Sequence, residues 1–142
     1  MIEYISHSTK ETEAFAASLA PRLHAGDILA CRGGMGMGKT AFARGLAQGL
    51  GLRDQVSSPT FALIQEYTDG NIPLYHFDMY RISGLEELYS TGFFDYLDGD
   101  GILYIEWSEN IQDALPWDHL TLNIQRIDED SRYITLEGGG RF

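Results

Sequence analysis

The sequence predicts an α/β protein with a mixed, partly parallel sheet that is flanked by helices. Two observations support this fold class. Short apolar runs of strand length alternate with segments whose apolar residues recur at helical spacing, and a glycine-rich segment, 33–38, separates one such run from the helix after it. The chain has 142 residues, 44% of them hydrophobic, which is enough for one domain over 1–142 and too little for two.

The first half of the chain is predicted to form two helices and a buried strand. A helix is expected over 9–23, because 8–11 has the spacing of a capping box and apolar residues follow at helical intervals. The apolar run 27–31 has the length of a buried strand. A second helix is expected over 40–50, and Gly51 is suited to end it.

The second half is predicted to contain five strands and short helical pieces. Strands are expected at 61–67 and 72–77, joined by a turn at 69–71, and then at 102–105, 119–125 and 132–137. The helical pieces lie within 85–97 and are interrupted at Gly92. Residues 138–142 are expected to fray.

Segment 33–40 fits the phosphate-binding pattern G-x-x-x-x-G-K-[ST] at every fixed position, which predicts a P-loop NTPase-like sandwich. Glycines let the backbone N–H groups of such a loop face the phosphates, and the following helix adds the positive end of its dipole. Lys39 is expected to reach the β- and γ-phosphates of a bound nucleotide, and the Thr40 hydroxyl to bind Mg²⁺. The remaining residues expected to contact the nucleotide here are Gly33, Met35, Gly36, Met37, Gly38 and Ala41.

Two carboxylates follow apolar runs of strand length. Glu106 follows 102–105 and Asp78 follows 74–77. Ligands of open α/β sheets bind at the carboxyl edge of the strands, so both acids are expected there. Glu106 is interpreted as the acid on the Mg²⁺ side, and Asp78 as the group that orients the attacking water or helps to hold the metal.

Three further residues each allow a functional and a structural interpretation. Thr60 lies where switch-type NTPases place a hydroxyl that senses the γ-phosphate, but Ser-Pro-Thr is equally an ordinary turn. His76 and Asp78 have the spacing of a metal pair, but no third ligand is placed, which favours a structural His76. Trp107 can pack on a base or on a partner, and core packing is an equally good interpretation.

Charge and cysteine content exclude some functions. Residues 72–142 contribute −10 of the net charge of −11, since they contain four arginines and fourteen acids. The chain is therefore not expected to bind nucleic acid by itself. The acidic half suits either a basic protein surface or simple solubility. One cysteine, Cys31, excludes an internal disulfide and a cysteine metal cage. With no membrane-length apolar run and no basic, apolar leader, a cytoplasmic protein is expected.

The ordered motifs resemble the bacterial TsaE (YjeE) family of ATPases over about residues 6–136. The resemblance rests on 33–40, on the SPTF sequence within 56–61, on HFDMYR at 76–81 and on IEWSE at 105–109. It implies a P-loop fold and Mg-ATP binding, with weak hydrolysis by the isolated protein. It also implies action with TsaB and TsaD in the threonylcarbamoylation of adenosine 37 of tRNA, where hydrolysis resets the complex between rounds and tRNA is met only through that complex.

The same resemblance implies roles for individual residues. Lys39 and Thr40 hold phosphate and Mg²⁺, Glu106 is the metal-side acid, and Asp78 is needed for hydrolysis. The resemblance further places Thr60 in a switch-like loop, Trp107 beside the nucleotide, and 9–12 and Arg132 at the border of the adenine. The chain departs from the family's usual loop in two places, with Gly34 where an acid is common and Met37 where alanine is common.

Two other functions are consistent with the residues alone. A small-molecule P-loop kinase would need an arginine-bearing lid, and among the arginines of the second half only Arg81 lies close in sequence to a candidate site residue. A nucleotide sensor that docks on a partner without hydrolysing ATP would need no further catalytic group. A GTPase of the usual kind is not expected, because the sequence N-K-x-D does not occur.

Overall fold

The computed structural model describes residues 1–32, 38–53 and 63–142. Within these ranges seven strands are formed: β1 (Ile2–Ser6), β2 (Ile28–Arg32), β3 (Ile64–Tyr67), β4 (Leu74–Asp78), β5 (Ile102–Glu106), β6 (Leu120–Arg126) and β7 (Arg132–Gly138). The α-helices of the same ranges are α1 (Thr9–Leu19), α2 (Lys39–Gly49), α3 (Leu85–Ser90) and α4 (Phe93–Leu97). Short 3-10 segments cover Ala20–Arg22 and Ser108–Ala114.

The strands form one mixed sheet in the order β1-β7-β6-β2-β5-β4-β3. The strands β4, β5, β2 and β6 are parallel in the centre, whereas β1, β7 and β3 pair antiparallel at the two sides. The predicted fold class is therefore confirmed. Because β2, β4 and β5 point the same way, their carboxyl ends meet at one edge, and Asp78 is the register partner of Glu106 there.

Helices cover both faces of the sheet. On one face α1 and α2 pack together over a core that includes Phe42, Leu46 and Tyr104. Their backbones approach closely, because a Cβ atom built on Gly45 would lie 2.2 Å from a backbone oxygen of α1, that of Glu13. On the other face α3 and α4 enclose a second apolar cluster around Phe77 and Phe93.

Most predicted elements are present, with shifted boundaries. Helix α1 ends at Leu19 and not at residue 23, because Pro21 has no N–H to continue the α-helical pattern and the chain enters a 3-10 turn. Strand β1 was not predicted. Of the strand predicted over 61–67, residues 61 and 62 lie outside the described part, and β3 begins at Ile64. Strands β4 and β5 each run one residue further than predicted, so Asp78 and Glu106 are their last residues.

The tail 138–142 makes specific contacts where fraying was expected. The backbone amide of Phe142 donates to the oxygen of Gly138 at 3.3 Å. The Arg141 guanidinium lies 2.5 Å from Asp27 Oδ1 and also donates to the carbonyl of Arg22. The Phe142 ring packs against the core under the Arg22 guanidinium, which lies 4.8 Å from the ring centroid. The glycine-rich composition of the tail predicts fraying, because it gives no information about contacts with residues that are distant in sequence.

Among the helices of residues 1–32, 38–53 and 63–142, none has the length and apolar composition that a membrane span requires.

Candidate nucleotide-binding site

A cleft of about 680 Å³ opens at the carboxyl edge of the parallel strands. Five parts of the chain line it: the start of α1, the start of α2, the ends of β4 and β5 with the residues that follow, the position just before β3, and the β6–β7 turn. The lining residues are Ser8, Thr9, Thr12, Gly38, Lys39, Thr40, Ala41, Leu63, Asp78, Tyr80, Arg81, Glu106, Trp107, Glu129, Asp130 and Arg132.

The start of α2 forms one wall of the cleft. Gly38 precedes the helix in the left-handed conformation, at φ 98°, which glycine adopts without the steric cost of a side chain. Its carbonyl accepts from the Phe42 amide at 3.0 Å, the first hydrogen bond of the helix. Lys39, Thr40 and Ala41 then line the cleft, and their contact with a nucleotide stays a prediction. The predicted contacts Gly33, Met35, Gly36 and Met37 lie outside the described residues.

The Lys39 side chain is buried between a carboxylate and an aromatic ring. Its Nζ lies 3.9 Å from Glu106 Oε1 and 4.6 Å from the centroid of the Trp107 ring. Its backbone is fixed as well, because the Tyr104 hydroxyl donates to the Lys39 carbonyl at 2.8 Å. Lys39 is only 5% exposed, so its ammonium group has few waters of its own and interacts strongly with these neighbours.

Glu106 is held from beneath by a histidine of the neighbouring strand. His76 Nε2 lies 2.5 Å from Glu106 Oε2, and His76 is fully buried while Glu106 is 6% exposed. The expectation that His76 is structural stays a prediction. Among the described residues no group of three or more His, Cys, Asp and Glu side chains is arranged to hold a metal ion.

Asp78 lies at the end of β4, directly across from Glu106. Its Oδ1 accepts from the backbone amide of Tyr80 at 2.9 Å, which orients the carboxylate within the turn. Its own amide donates to the carbonyl of Leu63, a residue with a positive φ of 62°. Asp78 is half-buried and lines the cleft, so both predicted acids meet at this edge.

Trp107 has a backbone conformation that is rare for a residue with a large side chain. Its φ of 56° and ψ of 42° are left-handed, at a cost of about 1–2 kcal/mol. The surroundings hold it there, since the Asn110 amide donates to its carbonyl at 3.1 Å and the rings of Tyr80 and Trp107 are 4.9 Å apart. The bend turns the indole towards Lys39. Trp107 therefore packs partly against the apolar cluster around Phe77 and also lines the cleft.

Motif spacing alone did not point to several of the cleft residues. Tyr80 and Arg81 lie two and three residues after Asp78, so their position in the 76–81 motif could have identified them as cleft residues. Thr9, Thr12 and Arg132 also line the cleft. The resemblance implies that they border the adenine, which stays a prediction. Thr60 lies outside the described residues.

Below the cleft, Cys31 and Tyr104 are fully buried. Burial raises the pKa of the Cys31 thiol to about 12 and raises the pKa of Tyr104 well above its usual value. Both groups are therefore neutral at physiological pH. An uncharged, inaccessible thiol is a poor nucleophile, so Cys31 is a packing residue.

Comparison with known proteins gives consistent matches. The family model described as "Threonylcarbamoyl adenosine biosynthesis protein TsaE" matches residues 6–134. A Bacillus subtilis protein named tRNA threonylcarbamoyladenosine biosynthesis protein TsaE is 41% identical over 131 residues, which are 92% of this chain and 82% of that protein. A Treponema pallidum protein of the same name is 33% identical over 132 residues, 93% of this chain and 97% of the relative.

A solved structure agrees with these sequence matches. The crystal structure of Bacillus subtilis YdiB superposes with a TM-score of 0.81 at 37% sequence identity. The superposition covers 98% of this chain and 86% of the other. The fold is therefore that of a P-loop NTPase-like protein, as the 33–40 pattern predicted.

Proposed function

The chain belongs to the TsaE family of threonylcarbamoyladenosine biosynthesis proteins, and from this premise we propose that it binds and hydrolyses Mg-ATP in the cleft described above. In this proposal it is an accessory protein of the tRNA modification. It acts in the cytoplasm with TsaB and TsaD, and hydrolysis resets their complex between rounds. The observation that carries the proposal is the convergence of Lys39, Thr40, Asp78 and Glu106 on one cleft.

The donors in the cleft fit a magnesium nucleotide. Mg²⁺ prefers oxygen ligands and usually takes one or two from protein, with phosphate and water supplying the rest. The Thr40 hydroxyl and the Glu106 carboxylate are oxygen donors that both line the cleft. The Lys39 ammonium would neutralise phosphate charge, and the amides at the start of α2 would face the phosphates. When bound, Mg²⁺ stabilises charge on the transferring phosphoryl group.

Asp78 is suited to position the water that attacks the γ-phosphate. One of its oxygens is engaged by the Tyr80 amide, which fixes the carboxylate plane, while the side chain still lines the cleft. A fixed carboxylate can accept a hydrogen bond from a water and hold it in line with the bond that breaks. Thr60 is proposed to sense the γ-phosphate, and the indole of Trp107 to lie against the nucleotide.

The far rim of the cleft is proposed to hold the adenine. Thr9, Thr12 and Arg132 lie there, at the start of α1 and after the β6–β7 turn. The acidic surface of residues 72–142 agrees with docking onto proteins and with contact to tRNA only through the complex.

The experiment is Mg-ATP hydrolysis by the purified protein, measured alone and with its cognate TsaB and TsaD. We expect little turnover alone and a clear rise with both partners. Lys39→Ala should abolish ATP binding, whereas Arg53→Ala, which removes an exposed cation from a residue that does not line the cleft, should not.

Three outcomes would contradict parts of the proposal. Wild-type ATP affinity in Lys39→Ala would refute the phosphate site. Retention of ATP without turnover, even beside both partners, would favour the nucleotide sensor. Transfer of phosphate to a metabolite would favour the kinase.

A further inference from the structure

A short polar contact joins His76 of one strand to the cleft residue Glu106 of the next. His76 Nε2 and Glu106 Oε2 are 2.5 Å apart, across the parallel pair β4 and β5. In this contact we assign the carboxylate oxygen as the acceptor and the histidine Nε2–H as the donor. Such a bond to a charged acceptor in a buried place is strong and directional.

The histidine ring is fixed by aromatic neighbours. The ring centroids of His76 and Tyr104 are 5.0 Å apart at an interplanar angle of 74°, and Tyr104 in turn stacks on Phe42 of α2. Packed rings of this kind keep His76 from rotating, so the direction of its Nε2–H is set by the core. The carboxylate of Glu106 therefore receives its orientation from the core below the cleft.

The fold gains little by having a histidine at this place. His76 Nδ1 is buried and has no hydrogen-bond partner among the residues that the structure describes. A buried polar atom without a partner destabilises the folded state, so an apolar ring of the same size would suit the core better. The contact with Glu106 is what distinguishes histidine from such a ring.

The arrangement also keeps Glu106 from closing onto Lys39. Glu106 Oε1 lies 3.9 Å from Lys39 Nζ, which is longer than the 2.7–2.9 Å typical of a direct ammonium–carboxylate hydrogen bond. With Oε2 held by His76, Oε1 is the carboxylate oxygen on the side of Lys39, and both Lys39 and Glu106 line the cleft. Without the histidine, both oxygens could turn to the ammonium group.

We propose that His76 is a positioning residue of the nucleotide site: it orients Glu106 so that Oε1 faces the magnesium nucleotide and is not drawn into a direct ion pair with Lys39. The inference rests on the proposed function, because it presupposes that Glu106 serves Mg²⁺. Partners that orient a metal-binding carboxylate or histidine typically change metal affinity or activity by 10–100-fold when they are replaced.

The test measures ADP affinity with and without Mg²⁺ by calorimetry, and the quantity of interest is the gain in affinity that Mg²⁺ provides. His76→Phe keeps the ring and removes the donor, and we expect the Mg²⁺ gain to fall by about tenfold or more. His76→Gln places an amide N–H near the position of Nε2, and we expect a gain close to that of the wild type. Ile102→Val, which trims a buried side chain at the other end of β5, controls for lost stability and should keep the gain.

The outcomes separate this inference from the proposed function. If the wild type shows an Mg²⁺ gain and His76→Phe retains it, the positioning role is refuted while the magnesium site stands. If the wild type binds ADP with no Mg²⁺ gain, both the positioning role and the magnesium site are refuted. Should His76→Phe fail to fold, His76→Asn provides the same comparison, because its shorter amide cannot reach Glu106, and a retained gain there would equally overturn the proposal.

Discussion

Replacing Glu106 with glutamine should strengthen ADP binding in the absence of metal and weaken the effect of Mg²⁺. Glutamine has the same shape, and its amide oxygen can still accept from His76, so the substitution removes mainly the charge. The Lys39 ammonium then loses the carboxylate that lies 3.9 Å from it. Phosphate oxygens become its principal anionic neighbours, and the repulsion between Glu106 and phosphate is removed.

The size of the effect follows from this distance. Two unit charges about 4 Å apart interact by about 4 kcal/mol at an effective dielectric constant of about 20. Part of this energy offsets the desolvation of the two groups, so we expect a net change of about 1–2 kcal/mol. Since about 1.4 kcal/mol corresponds to a factor of ten, ADP without Mg²⁺ should bind roughly tenfold more tightly to Glu106→Gln.

The assay is calorimetric ADP titration in EDTA and then in Mg²⁺, together with thermal unfolding. The ligand-free variant should unfold at a lower temperature than the wild type, because the buried Lys39 has one counter-charge fewer. ADP should raise the unfolding temperature of the variant by more than it raises that of the wild type. Glu109→Gln makes the same charge change at an exposed site and should alter neither quantity. Unchanged or weaker metal-free binding together with an intact Mg²⁺ gain would refute the electrostatic reasoning and remove Glu106 from the site.

Three further predictions concern the scaffold. Gly45→Ala places a Cβ 2.2 Å from a backbone oxygen of α1 and should lower the free energy of unfolding, measured in urea, by about 1–3 kcal/mol. Gly84→Ala is the control, because its Cβ would meet nothing within 4 Å, and it should change this free energy little. Equal effects of the two substitutions would contradict the close packing of the helices. The folded-state pKa of Cys31, about 12, lies above the usual value of 9.0, so its stabilisation is complete below about pH 9 and is lost as the pH rises towards 12. Cys31→Ala should therefore flatten part of the alkaline decline in stability measured by urea unfolding, and an unchanged decline would contradict this. Two backbone N–H groups of the β6–β7 turn hold the pKa of Asp128 below its usual value, so its stabilisation is present above about pH 4 and is lost as the pH falls through the folded-state pKa. Asp128→Ala should lower the melting temperature near neutral pH, and this loss should shrink as the pH falls below about 4; a loss that stays the same at every pH would refute the role of the charge.

Local signals in the sequence predicted one wall of the cleft. The 33–40 pattern is contiguous, and the Lys39 and Thr40 positions at the start of a helix follow from it directly. The carboxylates at Asp78 and Glu106 were predictable because an apolar run of strand length fixes where the next polar residue lies. The ends of helices and strands were predicted less accurately than their positions, as the end of α1 before Pro21 shows.

Contacts between distant segments could not be predicted in this way. The bond between His76 and Glu106 joins residues 30 apart and depends on β4 lying parallel beside β5, which no pattern in either strand specifies. The left-handed turn at Trp107 is likewise imposed by its neighbours against the preference of the residue itself. The far rim was expected only through the family resemblance, because Thr9 and Arg132 are brought together by the pairing of β1 with β7.

The close packing of α1 on α2 has an electrostatic consequence. Gly45 meets Glu13 and Gly49 meets Ala17, so the contacts advance in the same direction along both helices and the two run parallel. Parallel helices place their positive ends side by side, which is repulsive until an anion lies near both ends. The first turns of both helices line the cleft. In a protein with a net charge of −11, the peptide groups at these two helix ends favour an anion, and the phosphates of the proposed nucleotide would hold the two ends together.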